Sequence, residues 1–269
     1  MYNEQDITEI VQKIISSKKY KSIYDKTVER TVRQCLEKYE KKHVEKKSRN
    51  ILHQIWSAYY GQKPDFKHIL DEFKKNIGNG SDVKQEILKL LSVQSSTRER
   101  IPILNDFYGK IFSVAGCPSS IIDHACGFNP LTFLWMDLPE NIKYQAYDIE
   151  SNLTDFLKSI IDFLGLSDRI EIRQGDVMVD EFGYADIVFM MKFLPVLEQQ
   201  QKGSSIEVMR KQMCKHIVVS FPVKSLSGAE KGMIGFYSNW FENLIKDEDW
   251  QYNEILFDNE LVFVVQKDL

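Results

Sequence analysis

The sequence predicts an α/β protein in two parts: an all-α region over residues 1–115, then a Rossmann-like domain over residues 116–269 built on a mostly parallel sheet. Three observations carry this expectation. Apolar residues recur at helical spacing through the first part. Beyond Pro118, short β-branched runs alternate with helical stretches, the pattern of βαβ units. The charge also changes sign. Residues 1–110 hold 22 Lys and Arg against 15 Asp and Glu, a balance of +7, while residues 111–269 hold 13 against 24, a balance of −11.

Such asymmetry points to a nucleic-acid partner for the basic part, against the plainer reading that Lys-rich helices are simply well solvated. With 43% hydrophobic residues the chain has enough apolar material for a packed core. No apolar run approaches the ~18 residues of a membrane span, and the opening MYNEQDITEIV lacks the basic-then-apolar order of a signal peptide. A cytoplasmic protein without membrane association is expected. Cys35, Cys117, Cys126 and Cys214 are scattered and form no CxxC pair, so neither a zinc site nor a disulfide framework is indicated.

In the first part, Ile7, Ile10, Val11, Ile14 and Ile15 form one helical stripe, and Val28, Val32, Cys35, Leu36 and Tyr39 a second. A third helix spans about residues 43–60, with Val44, Ile51, Leu52, Ile55, Trp56 and Tyr59 on one side and Lys46, Lys47, Arg49 and His53 largely off it. Shorter helices are expected over 66–77 and 83–93, separated by the breaker GNGS. Ser96 and Glu99 have capping-box spacing ahead of a helix through Phe112. In the second part SSIIDHA, KYQAYDI, RIEIRQGD, ADIVFMM and KHIVVSF read as strands. Residues 151–164 and 194–213 read as helices, and NEILFD and ELVFVVQ form a closing hairpin around Asn259.

Ligands of such a fold sit at the carboxyl ends of the strands. The first strand ends in Asp123-His-Ala-Cys-Gly127-Phe-Asn129-Pro130, where Gly127 lets the backbone approach a ligand. The motif is not GxGxxG, so a dinucleotide is a poor match. Asp148 ends the second strand, 21 residues after Gly127, at the position whose acid accepts from ribose hydroxyls. Asp176, after the third strand, is placed to accept from an adenine amino group. Either acid alone reads more readily as a helix N-cap; in this order the set favours S-adenosylmethionine. The fourth strand leads into Met190-Met191-Lys192-Phe193-Leu194-Pro195 and lacks the Asn/Asp-Pro-Pro-aromatic loop typical of exocyclic-amine methylation. The fifth ends in Ser220-Phe221-Pro222 without the cysteine that cytosine C5 chemistry needs. Cys126 reads as a small buried residue of the turn. A ring nitrogen with a free lone pair, such as guanine N7, requires positioning more than acid–base groups.

These residues resemble a known family, the aminoglycoside-resistance 16S rRNA (guanine(1405)-N(7))-methyltransferases. The likeness runs along most of the chain: Ser16-Ser-Lys-Lys-Tyr20, Leu52-His-Gln54, Ser95-Ser-Thr-Arg-Glu-Arg100, Asp123-x-Ala-Cys-Gly-x-Asn-Pro130, Lys192-Phe-Leu-Pro-Val-Leu197, Ser220-Phe-Pro-Val-Lys-Ser-Leu-Ser-Gly228, Lys231-Gly-Met233 and Trp240-Phe-Glu242. The resemblance implies a class I S-adenosylmethionine methyltransferase domain, an N-terminal domain that docks on 16S rRNA in the assembled 30S subunit, and no obligate oligomer. The implied outcome is resistance to kanamycin- and gentamicin-type drugs. By the same resemblance Ala125, Gly127, Asn129, Asp148, Asp176 and Val177 hold the cofactor and Arg100 grips its carboxylate. Lys192 lies near the transferred methyl, and Met233 and Lys231 hold the flipped guanine. Lys18, Lys19, Arg49, His53 and Lys224 contact the rRNA backbone. His53 reads otherwise as a core or cap histidine, and Lys18-Lys19 as a solvated helix end.

The chain departs from the family after Gly232-Met233, where Ile234-Gly235-Phe236 replaces an acidic, Asn-containing segment. Two further readings follow: a cofactor-competent enzyme for another RNA nucleotide, and a non-catalytic ribosome-binding relative.

Overall fold

The computed structural model describes residues 4–57, 64–223 and 232–267. Three helices come first, α1 (Glu4–Ile15), α2 (Asp25–Lys38) and α3 (Lys41–Ser57). Their apolar stripes, including Ile10 and Ile14 of α1, Val28 and Val32 of α2, and Val44 and Leu52 of α3, close on one another as a small core of their own.

Four more helices follow: α4 (Phe66–Gly78), α5 (Val83–Leu91), α6 (Ser95–Arg100) and α7 (Leu104–Ala115). Asp65 and Asp82 cap α4 and α5 by accepting from the backbone N–H groups of His68 and Gln85. Pro102 sits in a 3-10 turn, Ile101–Ile103, that separates α6 from α7. The expected Ser96–Glu99 capping box does not form. Helix α6 starts after Gln94 with no side-chain cap, and Glu99 reaches Lys192 instead. A buried ammonium needs a counter-charge more than a helix end needs a second cap.

Strands β1 (Ser120–His124), β2 (Lys143–Asp148), β3 (Ile170–Gln174), β4 (Ala185–Met191), β5 (Cys214–Pro222), β6 (Gln251–Leu256) and β7 (Glu260–Gln266) form one sheet in the order β3-β2-β1-β4-β5-β7-β6. The first five are parallel, and β7 runs antiparallel to β5 and β6. Helices α8 (Ser151–Phe163), α9 (Leu194–Gln200), α10 (Ser204–Lys211) and α11 (Met233–Ile245) complete the element order. One face of the sheet, with Ile121, Ala146, Ile187 and Phe189, is covered by α4, α5, α7 and α8; the other, with Ile122, Val188, Met190 and Phe221, by α9, α10 and α11. This is the class I methyltransferase fold. Its strand order reverses between β1 and β4, which opens a crevice at their carboxyl ends.

A further expectation differs from the structure. The helix expected over 194–213 is two helices, because Gly203 turns at φ +84° and the Glu198 carboxylate accepts from the backbone N–H groups of Gly203 and Ser205. The helices before residue 115 contribute to two hydrophobic cores. Phe73, Ile87, Leu91, Phe107 and Tyr108 pack into the sheet's core, while the separate core is made of residues from 7 to 52. Periodicity shows that a helix has an apolar face, not which neighbour covers it. No helix among the described residues is long and apolar enough to cross a membrane.

Candidate functional site

The β1 strand runs out into Ala125-Cys126-Gly127. Ala125 and Gly127 both lie at φ +50°, in the left-handed region. An added Cβ at 127 would stand 2.5 Å from Gln94 Oε1, so the Gln94 side chain would have to shift. That oxygen accepts from Phe128 N at 2.8 Å and holds the turn from the N-terminal side. Ala125 is exposed, whereas Cys126 is buried, and burial pushes its thiol well above the ordinary range. A thiolate nucleophile is therefore not available there.

Asp148, at the end of β2, accepts from Gly127 N through Oδ2 and from Glu150 N through Oδ1, both at 3.1 Å. Glu150, not Asp148, caps α8, accepting from Leu153 N at 2.9 Å. The N-cap alternative for Asp148 is thereby removed, and each of its oxygens keeps a lone pair for a ligand. Burial pushes its carboxyl up to about 6. Asp176, beyond β3, accepts from Met178 N through Oδ1 at 2.9 Å. Its Oδ2 accepts from Thr27 Oγ1 at 2.8 Å and from Arg30 Nε and Nη2 at 3.2 and 3.0 Å. Gly127, Asp148, Asp176 and Val177 line one cavity, walled on its apolar side by Phe193, Val196 and Leu197.

Arg100 and Asn129 also line this cavity, and both are held in a network of protein contacts. Arg100 is only 1% exposed. Its Nε and Nη2 donate to Glu260 at 3.1 and 2.6 Å, and its Nη1 to Asn129 Oδ1 at 2.6 Å. Its charge is already matched, so what it has to offer a ligand carboxylate is the remaining N–H groups, not an unpaired cation. Asn129 accepts from Tyr108 Oη at 2.8 Å and donates to Asp123 Oδ2 at 2.9 Å, and Tyr144 Oη donates to that same oxygen at 2.5 Å. Burial pushes the Asp123 carboxyl up to about 6.

Lys192 stands just beyond β4 at φ +55°, its N–H donating to Ser220 O at 3.0 Å. The ammonium donates to Glu99 at 2.7 Å and to Ser96 O at 3.3 Å, and lies 3.6 Å from Glu260. It thus stands as an electrostatic anchor between two carboxylates. Met233 opens α11 after Gly232, which turns at φ +90°. Ile234 and Phe236 are exposed beside it, Phe236 by 60%. Lys224 and Lys231 lie outside the described residues.

Lys18 and Lys19 are exposed in the turn between α1 and α2. Arg49, expected to contact the rRNA backbone, also makes bonds within the protein. It bonds Glu45, Ser17 Oγ at 3.0 Å and Lys13 O at 2.8 Å, and its guanidinium lies 5.5 Å from the Tyr20 ring centre. Arg49 thus braces the turn that presents the two lysines. His53 is exposed one helical turn further along α3. The structure adds Thr27, Arg30, Gln94 and Glu260, none of which sequence reasoning singled out. A glutamate opening an otherwise apolar strand is the one signal among these.

The ribosomal RNA methyltransferase (FmrO) family model matches residues 16–264. A 16S rRNA (guanine(1405)-N(7))-methyltransferase of Micromonospora echinospora is 33% identical over 270 residues, covering 98% of each chain. Among solved structures, the 16S rRNA methyltransferase RmtF in complex with S-adenosyl-L-homocysteine aligns with a TM-score of 0.81 and 26% identity over 100% of both chains. The 16S rRNA methylase ArmA is 37% identical over 76% of this chain and 99% of its own, with a TM-score of 0.61. With a match over nearly its whole length and the strand order of a class I methyltransferase, the chain belongs to the ribosomal RNA methyltransferases of the FmrO family.

Proposed function

We propose that this protein is an S-adenosylmethionine-dependent 16S rRNA (guanine(1405)-N(7))-methyltransferase that acts as a monomer on the assembled 30S subunit in the cytoplasm. The modification it makes protects the decoding site from kanamycin- and gentamicin-type aminoglycosides. The observation that carries this reading is the meeting of Gly127, Asp148 and Asp176 in one cavity at the carboxyl ends of β1, β2 and β3. The residues fit the cofactor. The turn at 127 has no Cβ to block close approach, Asp148 keeps acceptor capacity for ribose hydroxyls, and Phe193, Val196 and Leu197 form an apolar wall for a purine.

When bound, S-adenosylmethionine supplies the activated methyl group. Guanine N7 offers a lone pair and carries no proton, so the task of the chain is to hold the two reactants in line. Asp148 and Asp176 orient the nucleoside end of the cofactor. Lys192 and Arg100, tied together through Glu260, keep the β4 and α6 walls in place around the reacting end. Met233 and Lys231 grip the target base, while Lys18, Lys19 and Lys224 engage phosphates. Arg49 and His53 support that surface from α3.

The test is the drug tolerance of a bacterium expressing this gene beside an Asp148→Ala control, with chemical cleavage at N7-methylguanine to locate the modified nucleotide. High tolerance that the control loses, with cleavage at guanine 1405, is the expected result. A second reading, another nucleotide of the same rRNA, is favoured by Ile234 and Phe236, exposed apolar groups where polar ones are expected. Cleavage at a different guanine with unchanged drug sensitivity would replace the first reading by the second.

A further inference from the structure

The N-terminal core and the sheet meet at the cofactor cavity, and they meet through polar groups. Ser22 O accepts from Ser151 N at 2.7 Å and Tyr24 N donates to Ile149 O at 2.8 Å, so residues 22–24 lie along the loop that follows Asp148. Ile23 and Glu150 pair there as an isolated β-bridge. One turn into α2, Thr27 and Arg30 reach Asp176, and Arg30 Nη2 also donates to Gln200 Oε1 at 2.9 Å. Beside them Lys26 Nζ lies 2.7 Å and Tyr24 Oη 3.3 Å from Asp180 Oδ1. Thr27, Arg30 and Ile55 of α3 line the same cavity as Asp148 and Asp176. The site is therefore incomplete on the sheet unit alone.

Arg30 carries the telling detail. Its Nε and Nη2 are spent on Asp176 and Gln200, while Nη1 is buried and has no hydrogen-bond partner among the described residues. Buried donors are rarely left unpaired, because an unsatisfied donor keeps its full desolvation cost. This one belongs to a side chain in the cavity wall, next to the acid placed to accept an adenine amino group. The complement of such a donor is a hydrogen-bond acceptor on the purine, whose ring nitrogens are acceptors.

We infer that Arg30 is a cofactor-binding residue and that the N-terminal helical unit completes the cofactor site. Arg30 Nη1 donates to the purine end, while Thr27 and the rest of the Arg30 guanidinium hold Asp176 in the orientation that leaves its Oδ1 lone pair toward the ligand. This rests on the S-adenosylmethionine reading above. Its consequence is a linkage. A ligand that binds best when the N-terminal unit is docked must stabilise docking by the same factor. The exposed Lys18-Lys19 turn rides on that unit, so cofactor binding steadies the surface offered to rRNA.

The experiment is calorimetric titration of the full chain with S-adenosylhomocysteine, for the wild type and for Arg30→Ala, Arg30→Lys and Thr27→Ala. Amide hydrogen exchange over residues 25–38 is followed with and without the ligand. Arg30→Ala is expected to weaken binding about tenfold and Thr27→Ala by roughly threefold, with Arg30→Lys between wild type and alanine. The ligand is expected to slow exchange in α2 of the wild type and not of Arg30→Ala. Circular dichroism identifies any variant that fails to fold, in which case Arg30→Lys and the wild-type exchange data decide. Folded Arg30 variants that bind within twofold of wild type, with α2 exchange indifferent to ligand, overturn the inference. A wild type that does not bind S-adenosylhomocysteine at all overturns the cofactor reading beneath it, and the inference with it.

Discussion

Two networks of charged groups flank the cofactor cavity, and they are built differently. On the inner side Arg100, Glu260, Lys192, Asn129 and Asp123 are all buried within the sheet unit, and Glu260 joins two cations. On the outer side Asp176 and Asp180 join the sheet unit to a helical unit with its own core, and the Lys26 side chain that completes this set is 56% exposed. Charge pairing has a different meaning in the two places. Breaking a buried pair is strongly destabilising, whereas an exposed one such as Lys26–Asp180 contributes little; Arg30–Asp176 beside it is largely buried. The inner network ties the walls of the sheet unit together; the outer one ties the helical unit to it through one buried and one part-exposed pair.

The sharpest way to break this contrast is to remove one acid from each side. Glu260→Ala leaves Arg100 and Lys192 as buried cations with their shared partner gone, and a loss of about 3–5 kcal/mol in urea unfolding is expected. Asp180→Ala releases the part-exposed Lys26 and Tyr24 contacts and the acceptor of the Asp176 backbone N–H, and should cost clearly less than Glu260→Ala. Equal losses from the two substitutions would mean that the networks do not differ as described.

Between the two networks lies Asp148, whose bonds are to backbone N–H groups of its own unit. Asp148→Ala should act on the ligand more than on the fold. Hydrogen bonds to a charged acceptor contribute about 1.5–3 kcal/mol each, so loss of even one to a ribose hydroxyl weakens S-adenosylhomocysteine at least tenfold. Calorimetry showing affinity within threefold of wild type would remove Asp148 from the site.

The pH dependence of binding sharpens the point. Burial holds the Asp148 carboxyl at about 6, and ribose hydroxyls donate to its ionised form. A ligand that prefers the ionised form binds fully above that value and loses affinity as pH falls through it, by up to about tenfold per unit further down. Asp123, also at about 6, titrates in the same window but within the inner network. Asp148→Asn should flatten the profile and Asp123→Asn should leave its slope in place; the reverse assignment would place the titrating group in the inner network. His124, pushed down to about 4 by burial and bonded to Gln212 at 2.8 Å, stays neutral throughout.

The contrast also explains what was legible in the sequence. Strands covered on both faces must be apolar along their whole length, so SSIIDHA, ADIVFMM and KHIVVSF stand out. Gly127, Asp148 and Asp176 are legible because a strand end fixes where a residue can point, and the succession of strands orders them around one ligand. Arg30 is not. Residues 21–38 hold Lys21, Lys26, Arg30, Arg33 and Lys38, and nothing local marks the one that turns inward. Arg100 was legible as important but its protein partner was not, because the carboxylate that pairs with it lies 160 residues away, where the closing hairpin brings β7 beside β5. A site assembled from distant segments shows its strand-end residues in sequence and hides the partners that satisfy them.

The smallest effect expected belongs to the outermost surface. Lys18 and Lys19 are exposed in a turn braced by Arg49, so exchanging both for Glu should leave stability and cofactor affinity unchanged. What should change is the salt dependence of binding to the 30S subunit. Each lysine that contacts a phosphate contributes about 1 to the slope of log K against log salt, because its counterions are released on binding. The double variant is expected to lose affinity at low salt and to converge on the wild type as salt rises. An unchanged slope would mean that this turn faces solvent in the complex and that the basic balance of the N-terminal unit meets rRNA through another face.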